Sequence, residues 1–142
     1  MVVHSQAIQT HLGILQNIIQ RMASSSGACK SYCVTLVSAI LVIVADKGKP
    51  NYAFIALVPI LLFLLLDAYY LGMERAFRER YKDFVVKYHD NNLLIEDMYD
   101  VTPLGGIGTH VVTALPSLSV LPFYLTLAGM VYLAWGVVLP AK

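Results

Sequence analysis

Two uncharged apolar runs lying only four residues apart constrain this chain more than any other feature. Residues 31–45 hold fifteen positions without Asp, Glu, Lys or Arg, bracketed by Lys30 and Asp46. Residues 50–66 hold seventeen more, bracketed by Lys49 and Asp67. Fifteen helical residues rise about 22 Å, against a hydrocarbon core of about 30 Å. The flanks must therefore complete each crossing. Lys30 can snorkel, Tyr32 and Tyr52 can sit at interfaces, and the second run can continue through Asp67 to Met73. The connector DKGKPN at 46–51 carries Gly48 and Pro50, which stop one helix and start the next. So short a link predicts an antiparallel helical hairpin.

Composition agrees. Of 142 residues, 58% are hydrophobic and 13% charged, with a mean hydropathy of +0.66. A soluble domain is typically about 25% charged and cannot hide so much apolar surface. The formal net charge of +1 argues against a nucleic-acid partner. The expected fold class is all-α, a helical integral membrane protein. Residues 1–20 contain no Lys or Arg and their apolar residues are spaced, which is not a signal-peptide pattern. Cys29 and Cys33 lie four apart on one helix face, with no metal-ligand partner nearby, and read as free, packed thiols.

A third crossing is expected near the C-terminus, where residues 101–141 carry no Asp, Glu, Lys or Arg. Pro103, Gly105, Gly106, Gly108, Pro116 and Pro122 break its first half, so the spanning helix is placed at 119–139. Residues 109–118 read as an interfacial or re-entrant piece. Arg21, Lys30, Arg75, Arg78, Arg80, Lys82 and Lys87 put seven cations on one side, against Lys47, Lys49 and Lys142 on the other. The positive-inside rule makes the first side cytoplasmic, with the N-terminus inside. The expected organisation is an N-terminal amphipathic cytoplasmic helix at 1–29, the transmembrane hairpin at 30–73, a cytoplasmic helix and acidic connector at 74–100, and a C-terminal membrane segment at 101–142.

Ile8, Leu12, Leu15, Ile19 and Met22 recur at steps of three and four, one apolar stripe on a helix whose other face is nearly uncharged. Ser24 to Gly27 read as a joint, or as small residues that let the helix run on. After the second run, Tyr70, Met73, Phe77, Tyr81, Phe84 and Tyr88 repeat the same spacing, and Glu74–Arg78, Arg75–Glu79 and Asp83–Lys87 are opposite charges four apart. One helix is therefore expected from the second span to about His89. The stripes Ile8–Met22 and Phe77–Tyr88 have no soluble core of their own, which makes them candidates to pack together or to form an oligomer interface.

Asp67 is the leading site candidate, because an ionisable residue at a span is costly unless it is used. Reflecting the hairpin about its connector pairs positions whose numbers sum to 97, which sets Asp67 level with Lys30. Three readings stand: an ion pair, a pore mouth, or interfacial exposure. Ser31, Thr35 and Ser38 form a polar stripe that either lines a water path or lets helices approach. Catalytic signals are poor. His4 and His11 lack a third metal ligand, GGIG at 105–108 lacks the lysine of a P-loop, and no nucleophile–base motif occurs. Neither enzyme activity nor a metal or other cofactor is expected.

The layout of a cytoplasmic helix, a tight two-span hairpin and a long charged helix continuing inside resembles the SLATT-type families. The resemblance covers residues 8–89 and is carried by SYCVTLVSAILVIVADKGKPNYAFIALVPILLFLLLDAYYLGMERAFRERY. The C-terminal span is an addition to that pattern. The resemblance implies a bacterial inner-membrane protein that forms homo-oligomeric pores as an antiphage defence effector, triggered by a nucleotide-sensing partner. It carries over no catalytic or binding residue. The alternative is a non-conducting accessory or scaffold subunit of another membrane complex.

Overall fold

The chain holds no proline before Pro50, and nothing else in its first 47 residues stops a helix. In the computed structural model, which describes residues 2–138, α1 runs unbroken over Val2–Lys47, about 69 Å at 1.5 Å per residue. Of the two readings of Ser24–Gly27, the structure shows the helix running on and no joint. The serines and Gly27 continue the helix, because Ser26 is held by a partner across the hairpin rather than by its own backbone. The boundary drawn at 29/30 accordingly falls inside one helix. α1 stops at Gly48, whose φ of +61° suits a residue without a Cβ.

Pro50–Ala56 then forms a 3-10 turn, leading into α2 at Leu57–His89. α2 passes 73/74 without interruption, as the one helix to His89 expected from the sequence. It ends where Asn91 takes a positive φ of 55° and the Asn92 N–H donates to the Lys87 carbonyl at 2.9 Å. The acidic connector contains a short 3-10 turn at Glu96–Met98. It folds back on α2, with Lys87 Nζ 2.8 Å from Asp97 and Arg80 3.1 Å from Asp100.

α3 follows at Ile107–Ala114 and α4 at Leu121–Leu133, the latter continued by a π-helical turn at Ala134–Val138. Pro122 sits in the first turn of α4, where its missing N–H costs nothing, so α4 begins two residues later than expected. The expected end at Leu139, and the cation Lys142, lie outside the described residues. α3 lies against α2 at Gly72, where a Cβ would stand 2.8 Å from the Val111 backbone nitrogen. Only glycine permits that approach.

Among the described residues the fold is all-helical. Two helices are long and apolar enough to cross a membrane, and the shorter apolar helix Leu121–Val137 packs beside them. The main core joins α1, α2 and α4 near the hairpin tip: Cys33, Val37, Val44, Ile60, Tyr124 and Val131 are buried together. The Trp135 indole N–H donates to Asn51 at 3.3 Å and ties the end of α4 to the tip.

At the open end of the hairpin the two apolar stripes meet within the chain. Leu15, Phe77 and Phe84 are buried, His11 stacks on Phe84 with ring centroids 4.4 Å apart, and the Gln16 amide donates to the Tyr81 hydroxyl at 3.3 Å. This corrects the oligomer-interface reading for Leu15, Phe77 and Phe84, which face their own chain. Ile8, Leu12, Ile19, Met22 and Tyr81 are half-buried in the same seam, and Tyr88 is exposed at its end.

Candidate functional site: a buried ion pair across the hairpin

Lys30 ends one turn of α1 begun at Ser26, so both side chains leave the same face of the helix. Asp67 comes from α2, directly across. Lys30 Nζ lies 2.5 Å from Asp67 Oδ2, and the Ser26 hydroxyl donates to Asp67 Oδ1. The same ammonium stands 3.4 Å from the Ser26 oxygen. Each carboxylate oxygen thus has its own donor, one charged and one neutral. That is the condition under which a buried carboxylate is tolerable.

The surroundings explain why the pair is dry. The Asp67 side chain is 0% exposed and that of Lys30 21%. Cys29 and Cys33, both free thiols, are buried on the Lys30 side, and Ala68 and Gly72 on the Asp67 side. One turn before Asp67, the Phe63 carbonyl accepts a hydrogen bond of 3.1 Å from the Tyr124 hydroxyl. Tyr124 therefore fastens α4 to α2 at the level of the pair.

Of the three readings of Asp67, the one this geometry displays is the ion pair: within the chain its carboxylate faces Lys30 and has no exposed surface. What the site can do is mechanical and electrostatic. It fixes the register of α1 against α2 at one level, since sliding by one turn would leave both charges buried and unpaired. It also makes that register sensitive to anything that neutralises either partner.

Ser31, Thr35 and Ser38 are not brought to this site. All three are exposed on the side of α1 away from α2 and α4. Thr35 turns its hydroxyl to the Ser31 carbonyl at 3.0 Å, a bond to its own helix. They do not pack helices together within the chain. His11 is buried against Phe84, and no protein group accepts from or donates to its Nε2; the side chain of His4 lies outside the described ones.

Sequence reasoning missed Ser26, although it lies four before Lys30 and so had to share its face. It also missed Tyr124, whose partner is a backbone carbonyl and leaves no trace in the sequence. Comparisons with protein-family models, with curated proteins and with solved structures find no match to this chain.

Proposed function

We propose that this chain is a multi-pass membrane protein whose copies assemble into a channel-like effector. The observation that carries the membrane reading is the exposure of its most apolar stretches. Only 22% and 28% of the eighteen-residue windows in α1 and α2 are buried inside the chain. The core helix of a water-soluble protein hides its apolar surface. Here Val42, Val58, Leu61 and Leu65 are all more than half exposed, so lipid is their natural surrounding.

In this reading the Lys30–Asp67 pair marks one edge of the bilayer and the Asp46–Lys49 link the other. The sixteen helical steps from Lys30 to Asp46 rise about 24 Å, close to the hydrocarbon thickness once interfacial side chains are added. The seven-to-three distribution of Lys and Arg supports a cytoplasmic open end. α4, tied to both α2 and the tip, is the third membrane helix.

Three helices cannot enclose water, so conduction requires a symmetric ring of copies. The SLATT-type layout extends the proposal to a membrane-disrupting role in a bacterial inner membrane, set off by a partner that senses a nucleotide. Induced expression with a membrane-potential dye tests it. Carbonate-resistant protein and prompt depolarisation are expected. Stable membrane protein without depolarisation, copurifying with a stoichiometric partner, would instead establish an accessory subunit.

A further inference from the structure

Among the described side chains, one buried nitrogen or oxygen has no hydrogen-bond partner: Nε2 of His11. The residue is 3% exposed, and its ring lies flat on Phe84 with centroids 4.4 Å apart. Three elements meet around it. α1 supplies His11 and the buried Leu15, α2 supplies Phe84, and the connector turn Glu96–Met98 packs against α1. Phe84 gives the imidazole a face to rest on but no acceptor in the plane of the ring.

The charged and titratable groups of these elements are already committed or face water. Residues 1–20 of α1 carry no Asp, Glu, Lys or Arg. On α2, the Tyr81 hydroxyl accepts from the Gln16 amide at 3.3 Å, and Tyr88 and His89 are exposed. Asp83 and Asp97 both hold Lys87, at 3.3 and 2.8 Å, and Asp100 holds Arg80 at 3.1 Å. Glu96 and Tyr99 are exposed on the connector.

We propose that His11 is an acid-operated latch, and that proton uptake by its ring releases the first turns of α1 from α2. The donor count carries the argument. A neutral imidazole donates from one nitrogen, whereas a protonated one donates from both. In the closed seam the second N–H would have no acceptor, and a buried cation without a partner is far costlier than a buried neutral nitrogen. Once the seam opens, water solvates the ring. The open form therefore binds a proton that the closed form excludes, and falling pH favours opening. The connector stays on α2, because its ion pairs do not involve His11. This goes beyond the channel reading and does not rest on it.

Hydrogen exchange on the full-length protein tests the latch. Amide protection factors, which divide out the intrinsic effect of pH, are compared at about pH 7.5 and about pH 5.5, either side of the ordinary imidazole value of about 6.5. Released from α2, the first turns are a marginal helix and exchange freely. Protection at residues 8–16 is expected to fall about ten-fold, the linkage of one proton excluded from the closed form. Residues 93–100 should keep theirs. His11→Phe, which retains a ring against Phe84, and His11→Gln should both abolish the fall, while His89→Gln should leave it intact. The unsubstituted chain alone can overturn the proposal, by showing equal protection at the two pH values or a fall only below about pH 5, where carboxylates titrate. A ten-fold fall that persists in either His11 variant, or loss at residues 93–100 in step with residues 8–16, would also overturn it.

Discussion

The two halves of the hairpin use one pair of helices in opposite ways. At the open end the apolar side chains face inward: Leu15, Phe77 and Phe84 are buried, and the outer surface carries amides and ion pairs such as Glu74–Arg78 at 2.8 Å. Towards the tip the outer surface is itself apolar, with Val42, Val58, Leu61 and Leu65 exposed, while Val37, Val44, Ile60 and Val131 are buried beneath it; the buried polar contacts of Ser26 and Asp67 lie where the two halves meet. α1 runs through both halves without a break, so the reversal is not a domain boundary. It is a change in the character of the outer surface along one helix pair, with the Lys30–Asp67 pair at the place where it happens, and in the proposed membrane reading it is a change of solvent.

If that comparison is right, the same kind of substitution has different consequences in the two halves. Phe84→Ala removes an aromatic ring buried against α1 and should cost about 3–5 kcal/mol, seen as a large drop in melting temperature in detergent. Leu61→Ala, on the outward face at the tip, should change stability by no more than about 0.5 kcal/mol. Comparable losses at both sites would mean that the tip is buried by something that persists in detergent, and the contrast would have to be redrawn.

The pair at the junction comes next in size. Lys30→Ala strands a fully covered carboxylate, and breaking a buried pair from one side costs about 3 kcal/mol or somewhat more. Asp67→Ala strands a cation that is one-fifth exposed and can snorkel, so it should cost less. The exchanged pair Lys30→Asp with Asp67→Lys should recover part of the loss. No recovery would show that Ser26 and the local packing, rather than charge pairing, set the register.

The smallest effect is expected where the acidic connector lies on α2, far from the tip. The Lys87 ammonium, then the Leu94 N–H, hold Asp97 below the ordinary carboxylate range. The Thr102 hydroxyl and N–H do the same for Asp100. Asp97, then Asp83, raises Lys87. Lowered carboxyl groups stabilise above their unfolded value of about 3.9 and lose that contribution as pH falls through the folded value; raised Lys87 stabilises below about 10.4 and loses it as pH rises. Amides of residues 93–100 should therefore keep their hydrogen-exchange protection between about pH 4 and 10 and lose it first on acidification. These groups are partly exposed, so added salt should reduce the effect. Protection independent of pH would show that the connector is held by apolar contacts alone.

Much of this was legible in the sequence because charge placement in an apolar chain is costly and therefore informative. Lys30, Asp46, Lys49 and Asp67 alone bracket the hairpin and predict which positions face each other. The stripes Ile8–Met22 and Phe77–Tyr88 show their period, but a period does not say whether the partner is the same chain or another; the structure places them against each other. Ser24 to Gly27 left a joint and a continuous helix both open, because weak helix formers settle neither, while the role of Ser26 depends on Asp67, 41 residues away. Gly72 gave no warning at all. Its need for a missing Cβ exists only because α3 returns across α2.

The central claim is that the outer surface changes from water-facing to lipid-facing along one continuous helix pair. Nitroxide labels placed singly at Leu61 and Leu65 near the tip, and at Lys82 and Val86 near the open end, test it most directly in reconstituted bilayers. The account predicts that relaxation at Leu61 and Leu65 responds to dissolved oxygen and not to a water-soluble nickel chelate, and that Lys82 and Val86 respond the other way. Strong collision of the nickel chelate with labels at Leu61 and Leu65 would contradict it.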